Sequence, residues 1–418
     1  MPDYVSWILI SLAVLALISI IFEEVIHINK AQSVLFFGSF SWVILFAATS
    51  GTDSHHLVEE GLKENIGEIA ALWLFLTAAM TFVAYLNKKG LIETAIFKVL
   101  PNKISERKLL FLTGLFAFIF SSLADNITAT LVSIALILSL QMPPSKTLRF
   151  AAVAVFAVNS GGVAMITGDV TTLMIFLADK AEITSLLLLA VPAFSAVLVL
   201  MGLLMLPLSG RVGITKTSHD LQTIDLIIAG IFLFTILTTI AFNVVFGIPP
   251  VLSFLTGLAT MFLVAKFMGE DTEDDPIMDY IRRIEFDTLM FFLGILLVVG
   301  ALKEVKALDS FVAIYDYLPA WQANYLMGLF SSIIDNVPLT AALLKSDVTM
   351  NAGEWLALTY AVGVGGSLLI IGSAAGIVAM SKIEALTFAS YLKFIVALLI
   401  AYTLGYGLTL LLGNVIYS

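Results

Sequence analysis

Two decapeptides 210 residues apart are nearly the same, and they constrain the fold more than any other feature of the chain. Residues 121–130 read Ser-Ser-Leu-Ala-Asp-Asn-Ile-Thr-Ala-Thr; residues 331–340 read Ser-Ser-Ile-Ile-Asp-Asn-Val-Pro-Leu-Thr. Identity holds at Ser121/Ser331, Ser122/Ser332, Asp125/Asp335, Asn126/Asn336 and Thr130/Thr340. Each copy follows a long apolar run, so a carboxylate and an amide are placed twice at membrane depth. Ionisable groups there are costly and mark paths for ions or protons. Interrupted apolar segments in corresponding positions of two halves are the sequence signature of a secondary-transport site.

Composition sets the class. Hydrophobic residues make up 60%, charged residues 12%, and the mean hydropathy is +1.04, which excludes an ordinary soluble domain. Bilayer-length apolar runs recur from end to end, without the period-two alternation of a barrel. The expected fold is an all-α polytopic membrane protein. Without cysteine there are no disulfides or thiolate metal sites. The N-terminus, Met-Pro-Asp-Tyr, lacks a basic signal region, so the first apolar run is expected to stay as a membrane helix. The net charge of −10 says little by itself, and nucleic acid is not an expected partner.

Ten spans are expected, at 5–22, 31–49, 68–86, 148–178, 185–207, 223–243, 249–267, 286–302, 355–380 and 388–414. Segments 109–138 and 321–345 carry Asp-Asn at mid-length, leaving arms of about 12–16 residues. Such an arm covers roughly 18–24 Å, short of the ~30 Å hydrocarbon core. Both segments read as re-entrant hairpins with Asp-Asn near the tip; a long kinked helix is the competing reading. Residues 68–95 also align with 285–312, and Gly161, Gly162 and Gly168 with Gly365, Gly366 and Gly372. The chain then divides into repeats 1–210 and 211–418, each with five spans and one hairpin. Five is odd, so the second repeat enters the membrane inverted.

Loop charge agrees with that topology. With both termini outside, 16 basic residues fall inside and five outside, the positive-inside bias. Stretch 87–108 carries six basic residues, whereas its counterpart 303–320 carries two, with three acids. Segments 88–101 and 303–317 read as amphipathic interfacial helices, and 269–279 as an acidic cytoplasmic loop.

Asn159-Ser160-Gly161-Gly162 and Thr167-Gly168-Asp169-Val170-Thr171-Thr172 interrupt the span 148–178; Gly363 to Ser367 and Gly372-Ser373 interrupt 355–380. Unwound backbone at membrane depth is tolerated where it is buried or lines a cavity. Its carbonyls, with hydroxyls and carboxylates, are hard oxygen ligands suited to a small cation. Asp169 stands where the second repeat has Ser373. Three deep carboxylates result, Asp125, Asp169 and Asp335, and no Lys, Arg or His falls inside an expected helix core. Such an acid holds either a proton or a cation, since desolvation disfavours its bare charge. A site alternating between the two exchanges one for the other.

The bland readings are specific. Asp125, Asp335, Asn126 and Asn336 could be helix caps, and Asp169 a cavity-facing residue with no ion role. Thr171 and Thr172 could bond back to their own helix. Asp225, Glu285 and Asp287 sit at span starts, at the interface. His55 and His56, near Asp53 and Glu59, are expected in a solvated outer loop.

At these motifs the chain resembles the NhaD-type sodium/proton antiporters, of the ion-transporter superfamily that includes arsenite permeases and dicarboxylate/sodium symporters. The resemblance implies a scaffold domain, which usually dimerises, and a transport domain of hairpins and broken helices moving as an elevator in the cytoplasmic membrane. It implies Na+ or Li+ exchanged for H+, with no cofactor and no enzymatic activity. The essential acids would be Asp125 and Asp169; supporting groups would be Ser121, Asn126, Thr128, Asn159, Thr171, Thr172, Ser331, Asp335, Asn336 and Ser373. An arsenite or antimonite efflux permease is the alternative, followed by an organic-anion/sodium symporter, whose anion the Asp125 charge would repel. An intramembrane aspartyl protease is disfavoured: Ile166-Thr167-Gly168-Asp169 lacks the first glycine of Gly-x-Gly-Asp.

Overall fold

The computed structural model describes residues 3–21, 28–99, 101–213, 221–268, 278–282, 284, 286–308, 312–346 and 348–417. Most of the acidic stretch 269–279, together with Lys216, Arg283 and Glu285, lies outside the described residues. The described chain is mostly helical. In order come α1 (Asp3–Ile21), α2 (Lys30–Thr49), α3 (Ser54–Lys88), α4 (Leu91–Val99), α5 (Glu106–Leu123), α6 (Asn126–Ser139), α7 (Pro144–Gly162), α8 (Val170–Leu177), α9 (Ile183–Leu188) and α10 (Ala190–Leu204). Then follow α11 (Thr223–Phe246), α12 (Pro250–Met268), α13 (Met278–Ile281), α14 (Phe286–Glu304), α15 (Ile314–Tyr317), α16 (Ala320–Ser331), α17 (Asn336–Lys345), α18 (Ala352–Gly365), α19 (Ala374–Lys382), α20 (Phe388–Leu392) and α21 (Ile395–Tyr417). Among the described residues, seven helices are long and apolar enough to cross a membrane: α2, α3, α9 run on into α10, α11, α12, α14 and α21.

Each interruption has a local cause. The first motif breaks between α5 and α6 at Ala124-Asp125, and the second between α16 and α17 at residues 332–335. Spans 148–178 and 355–380 each fall into two helices, α7/α8 and α18/α19. After every break a polar side chain accepts a backbone N–H of the new helix: Asp125 from Thr128, Asp169 from Thr171, Asp335 from Val337 and Ser373 from Gly376. Elsewhere Pro144 opens α7, a capping box of Asn351 and Glu354 opens α18, and left-handed Gly247 closes α11.

α7 lies at the centre, with every residue from Phe150 to Val158 fully buried. Its neighbours are α5, α6 and α10; α18 is enclosed in turn by α16 and α21. The centre closes because glycines let backbones touch. A Cβ on Gly161 would overlap the carbonyl oxygen of Phe118 in α5, and one on Gly365 would overlap that of Gly328 in α16. Around this centre α2 packs along α14, and α3 along α12.

Two expectations need correction. α3 begins at Ser54, 14 residues before the expected span, so His55 and His56 lie in its first turn and not in a loop. Side-chain pairs one turn apart, Lys63 with Glu59 at 2.7 Å and His56 with Glu60 at 3.6 Å, fit this polar helical extension. The fold is also not purely helical: β1 (Lys103–Ser105) pairs antiparallel with β2 (Arg211–Gly213). Buried Glu106 clasps that ribbon, accepting the Gly210 N–H at 3.1 Å and pairing with Lys146. Asp225, in the first turn of α11, is buried under the Tyr85 hydroxyl (2.6 Å) and the Lys89 ammonium (3.5 Å).

Candidate functional site

The helix starts at Asp125, Asp169, Asp335 and Ser373 all open onto one cavity of about 150 Å³. Asn126, Asn159 and Asn336 line it as well. Capping and cavity-lining, set against each other in the sequence, coincide in the same side chains. Helix N-termini carry partial positive charge, so aspartates seated there are favourably placed while keeping oxygen faces toward the cavity.

Asp169 is the best-held acid. Its side chain is buried, its Oδ1 accepts the Thr171 N–H at 3.0 Å, and its Oδ2 accepts both Asn126 Nδ2 and Asn336 Nδ2 at 3.1 Å. The asparagines of the two motifs therefore meet on one oxygen. Ser121 donates to Asn126 Oδ1 at 2.7 Å and so orients that amide. Asp125, half-buried, accepts the Thr128 N–H at 2.8 Å and its hydroxyl at 2.7 Å. Asn159 sends its Nδ2 to Ser373 Oγ and to the Val155 carbonyl, both at 3.0 Å. Its Oδ1 is buried and has no hydrogen-bond partner.

Of the twelve sequence candidates, Asp125, Asn126, Asn159, Asp169, Asp335, Asn336 and Ser373 line the cavity. Ser121, Thr128 and Thr171 stand one bond behind it. Thr172 lies back from it too: its hydroxyl reaches the Gly162 carbonyl at 3.5 Å, tying α8 to the end of α7 and not to its own helix. Ser331 is not brought to the site; its hydroxyl donates to the Val362 carbonyl at 2.7 Å.

The cavity also holds residues the sequence reading left out. Asn29, Lys30 and Asp287 line it too. Asn29 donates from Nδ2 to Asp287 Oδ2 at 2.9 Å, and the Lys30 ammonium lies 5.1 Å from the centre of the Phe291 ring. Lys30 precedes its expected span by one residue and so lies outside any expected helix core, yet it lines the same cavity as the acids. Asp287 likewise sits on the cavity wall and not only at an interface. An Asn-Lys pair just ahead of an apolar run was the available signal.

Among the described residues no three acidic or histidine side chains stand close enough to chelate one ion together. A bound cation would need neutral oxygens beside any carboxylate, and the Asn126, Asn159, Asn336 and Ser373 side chains on the cavity wall carry such oxygens.

Comparison with known proteins gives two results. The model of the citrate transporter family matches residues 4–363. A protein of Vibrio cholerae called Na(+)/H(+) antiporter NhaD is 31% identical, over 94% of this chain and 89% of its own length. The Alkalimonas amylolytica protein of the same name is 29% identical over 95% of this chain and 89% of itself. Sodium/proton antiporter 1 of Arabidopsis thaliana is 30% identical over 93% of this chain and 71% of itself.

Proposed function

Because the chain belongs to the citrate transporter family, and within it to the NhaD-type sodium/proton antiporters, we propose that it is a multi-pass Na+(Li+)/H+ antiporter that exports sodium from the cytoplasm in exchange for protons. It is a transporter and not an enzyme. The observation that carries the mechanism is the one cavity lined by Asp125, Asp169 and Asp335.

In this reading Asp125 and Asp169 take Na+ or H+ by turns. Loss of the proton leaves two carboxylates in a low-dielectric pocket, where a small cation is the other way to offset their charge. Asn126 and Asn336 hold Asp169 in place, and Asn159 supplies a neutral ligand. Four helix N-termini around a cavity would also suit a carboxylate substrate such as a citrate-type anion. The charges decide against it: among the described residues, four aspartates, counting Asp287, and one lysine line the cavity.

The proposed architecture is ten spans and two re-entrant hairpins, in inverted repeats 1–210 and 211–418. Paired packing supports it: α5 meets α7 as α16 meets α18, α6 meets α19 as α17 meets α8, and α2 meets α14 as α12 meets α3. Helices α5–α8 and α16–α19 would form the mobile part of an elevator. α1–α3, α11, α12 and α14 would form a scaffold that dimerises in the cytoplasmic membrane, both termini outside. The starts of α2 and α14, on the cavity wall, then lie toward the cytoplasm.

The test is Na+-induced proton flux in everted vesicles or proteoliposomes, repeated with Li+, K+ and arsenite. Exchange with Na+ that disappears in both Asp125→Asn and Asp169→Asn, with the protein still folded, is the expected result. Flux with arsenite, or full Na+ exchange in either variant, overturns the assignment.

A further inference from the structure

Ser122 and Thr167 stand beside the acids, three residues before Asp125 and two before Asp169, yet neither lines the cavity. Their hydroxyls bond instead across the contact between α5 and the break of α7 from α8. Ser122 Oγ lies 2.9 Å from the Phe118 carbonyl oxygen of its own helix and 2.9 Å from that of Gly161 in the last turn of α7. Thr167 Oγ1, in the unwound stretch between α7 and α8, donates to the Ser122 carbonyl at 2.7 Å. Each segment thus receives a hydroxyl from the other. Both side chains are buried, so water is a poor replacement for either bond. The backbones leave little slack: a Cβ on Gly168 would lie 2.5 Å from the Ser121 carbonyl oxygen, and one on Gly162 2.5 Å from Asn126 Oδ1.

The second half keeps the backbone contact without this clasp. Ser332 matches Ser122 in sequence, but its hydroxyl donates to the Leu329 carbonyl of α16 at 2.6 Å. Ile371 stands at the position of Thr167 and has no hydroxyl to give. A Cβ on Gly372 would still overlap the Ser332 carbonyl oxygen. The unwound stretch there is held from α20, whose Tyr391 hydroxyl donates to the Ser367 carbonyl at 2.6 Å. The clasp therefore accompanies Asp169, the acid that the second half lacks. We propose that Ser122 and Thr167 are positioning residues that set the spacing between Asp125 and Asn126 on one side and Asp169 on the other, and with it the affinity of the cavity for Na+. The inference rests on the antiport reading and deepens it. A binding constellation works only while supporting bonds lock its geometry. Here Asn126 must reach Asp169 Oδ2, at 3.1 Å, while Ser121 orients its amide. With the clasp broken, the end of α5 is free to slip against the start of α8, and that bond is the first to lengthen. The clasp lies wholly within α5–α8, which the antiport reading moves as one body, so its loss acts on ion binding and not on the movement.

The experiment measures initial rates of Na+-driven proton flux against Na+ concentration in proteoliposomes of the purified full chain, with a melting temperature for each variant. Thr167→Val keeps the shape and removes the hydroxyl. It is expected to raise the half-saturating Na+ about three- to tenfold, the size of one buried hydrogen bond, and to leave the maximal rate within about twofold. A merely structural role would lower the amount of working protein, and so the maximal rate, without moving the half-saturating concentration. Thr167→Ser retains the hydroxyl and should behave as the unaltered chain does. Ser122→Ala should shift the same parameter in the same direction, and the double variant should lose less than the product of the two, since both bonds serve one contact. Ser332→Ala, the same change in the other motif, should leave the Na+ dependence unaltered. Ser122→Ala carries the reading by itself if the valine variant does not fold. An unmoved half-saturating Na+, a fall in maximal rate alone, a Thr167→Ser variant that behaves like valine, full multiplication in the double variant, or a Ser332→Ala effect as large as that of Ser122→Ala overturns the assignment. No Na+-driven flux by the unaltered chain overturns the antiport reading, and this inference with it.

Discussion

Asn336 donates its side-chain amide to Asp169 Oδ2 at 3.1 Å, across 167 residues of sequence. Asn126 donates to the same oxygen at the same distance. The two copies of the duplicated motif are therefore joined through one atom of a residue that belongs to only one half. At the position matching Asp169 the second half has Ser373, which accepts the amide of Asn159. Duplication supplies the frame, and this departure from it makes a single acidic centre instead of two equivalent ones.

Asp169→Asn keeps size and shape but cannot accept two amide donors on an anionic oxygen. It should abolish Na+-driven proton flux while the protein still folds. Asn126→Ala and Asn336→Ala should each weaken exchange, and the double variant should lose less than the sum of the two, because both act on one oxygen. Initial rates of proton flux in the three variants check this; strict additivity would mean that the asparagines act separately.

Competition between proton and Na+ at the same carboxylates fixes the sign of the pH dependence. Acidification should raise the half-saturating Na+, by up to about tenfold per pH unit for each proton displaced, and leave the maximal rate less affected. Titrating Na+ dependence at several pH values in proteoliposomes measures this slope. A half-saturating concentration that stays constant through the acidic range would mean that the two ions occupy different groups.

The elements carrying this site were legible where hydropathy and broken periodicity speak together. Long apolar runs gave the helices, and Asp-Asn, Gly-Gly and Gly-Asp interruptions gave the four helix starts at the cavity. Hydropathy failed where a helix is polar: α3 runs through Lys63, Asn65 and Gly67 because Asn65 bonds the Leu296 carbonyl at 3.2 Å across the fold. Pattern also failed to fix rotamers. Ser121 and Ser331 match in sequence, yet one orients Asn126 and the other turns to the Val362 carbonyl. Asn29, Lys30 and Asp287 come together only through α2–α14 packing, which single-sequence periodicity cannot report.

The close approaches at Gly161 and Gly365 predict strong intolerance of a methyl group. Gly161→Ala would drive a Cβ into the Phe118 carbonyl, backbone against backbone, with no flexible side chain to yield. A destabilisation of about 1–3 kcal/mol is expected for each alanine variant. Melting temperatures of the purified variants would show it; Gly202→Ala, where a Cβ meets nothing within 4 Å, is the control expected to melt as the unaltered chain does.

Lys345 at the end of α17 pairs with Glu68 of α3, and Lys303 at the end of α14 lies 3.2 Å from Glu64. Lys345 is mostly buried, at 9% exposure, so its pairing is harder to replace with water than a surface contact. Between these elements lies a second cavity, lined by Ala71, Leu296 and Ala341 among others. If α17 shifts to open that side, the Glu68–Lys345 pair must break first. Glu68→Gln should therefore favour the opened form, by about two- to fivefold for a partly exposed ion pair. The chain has no cysteine, so Ala341→Cys gives a clean reporter: maleimide should label it faster in the Glu68→Gln background, and raised salt should narrow the difference. Equal labelling rates in the two backgrounds would show that the pair does not hold this side closed.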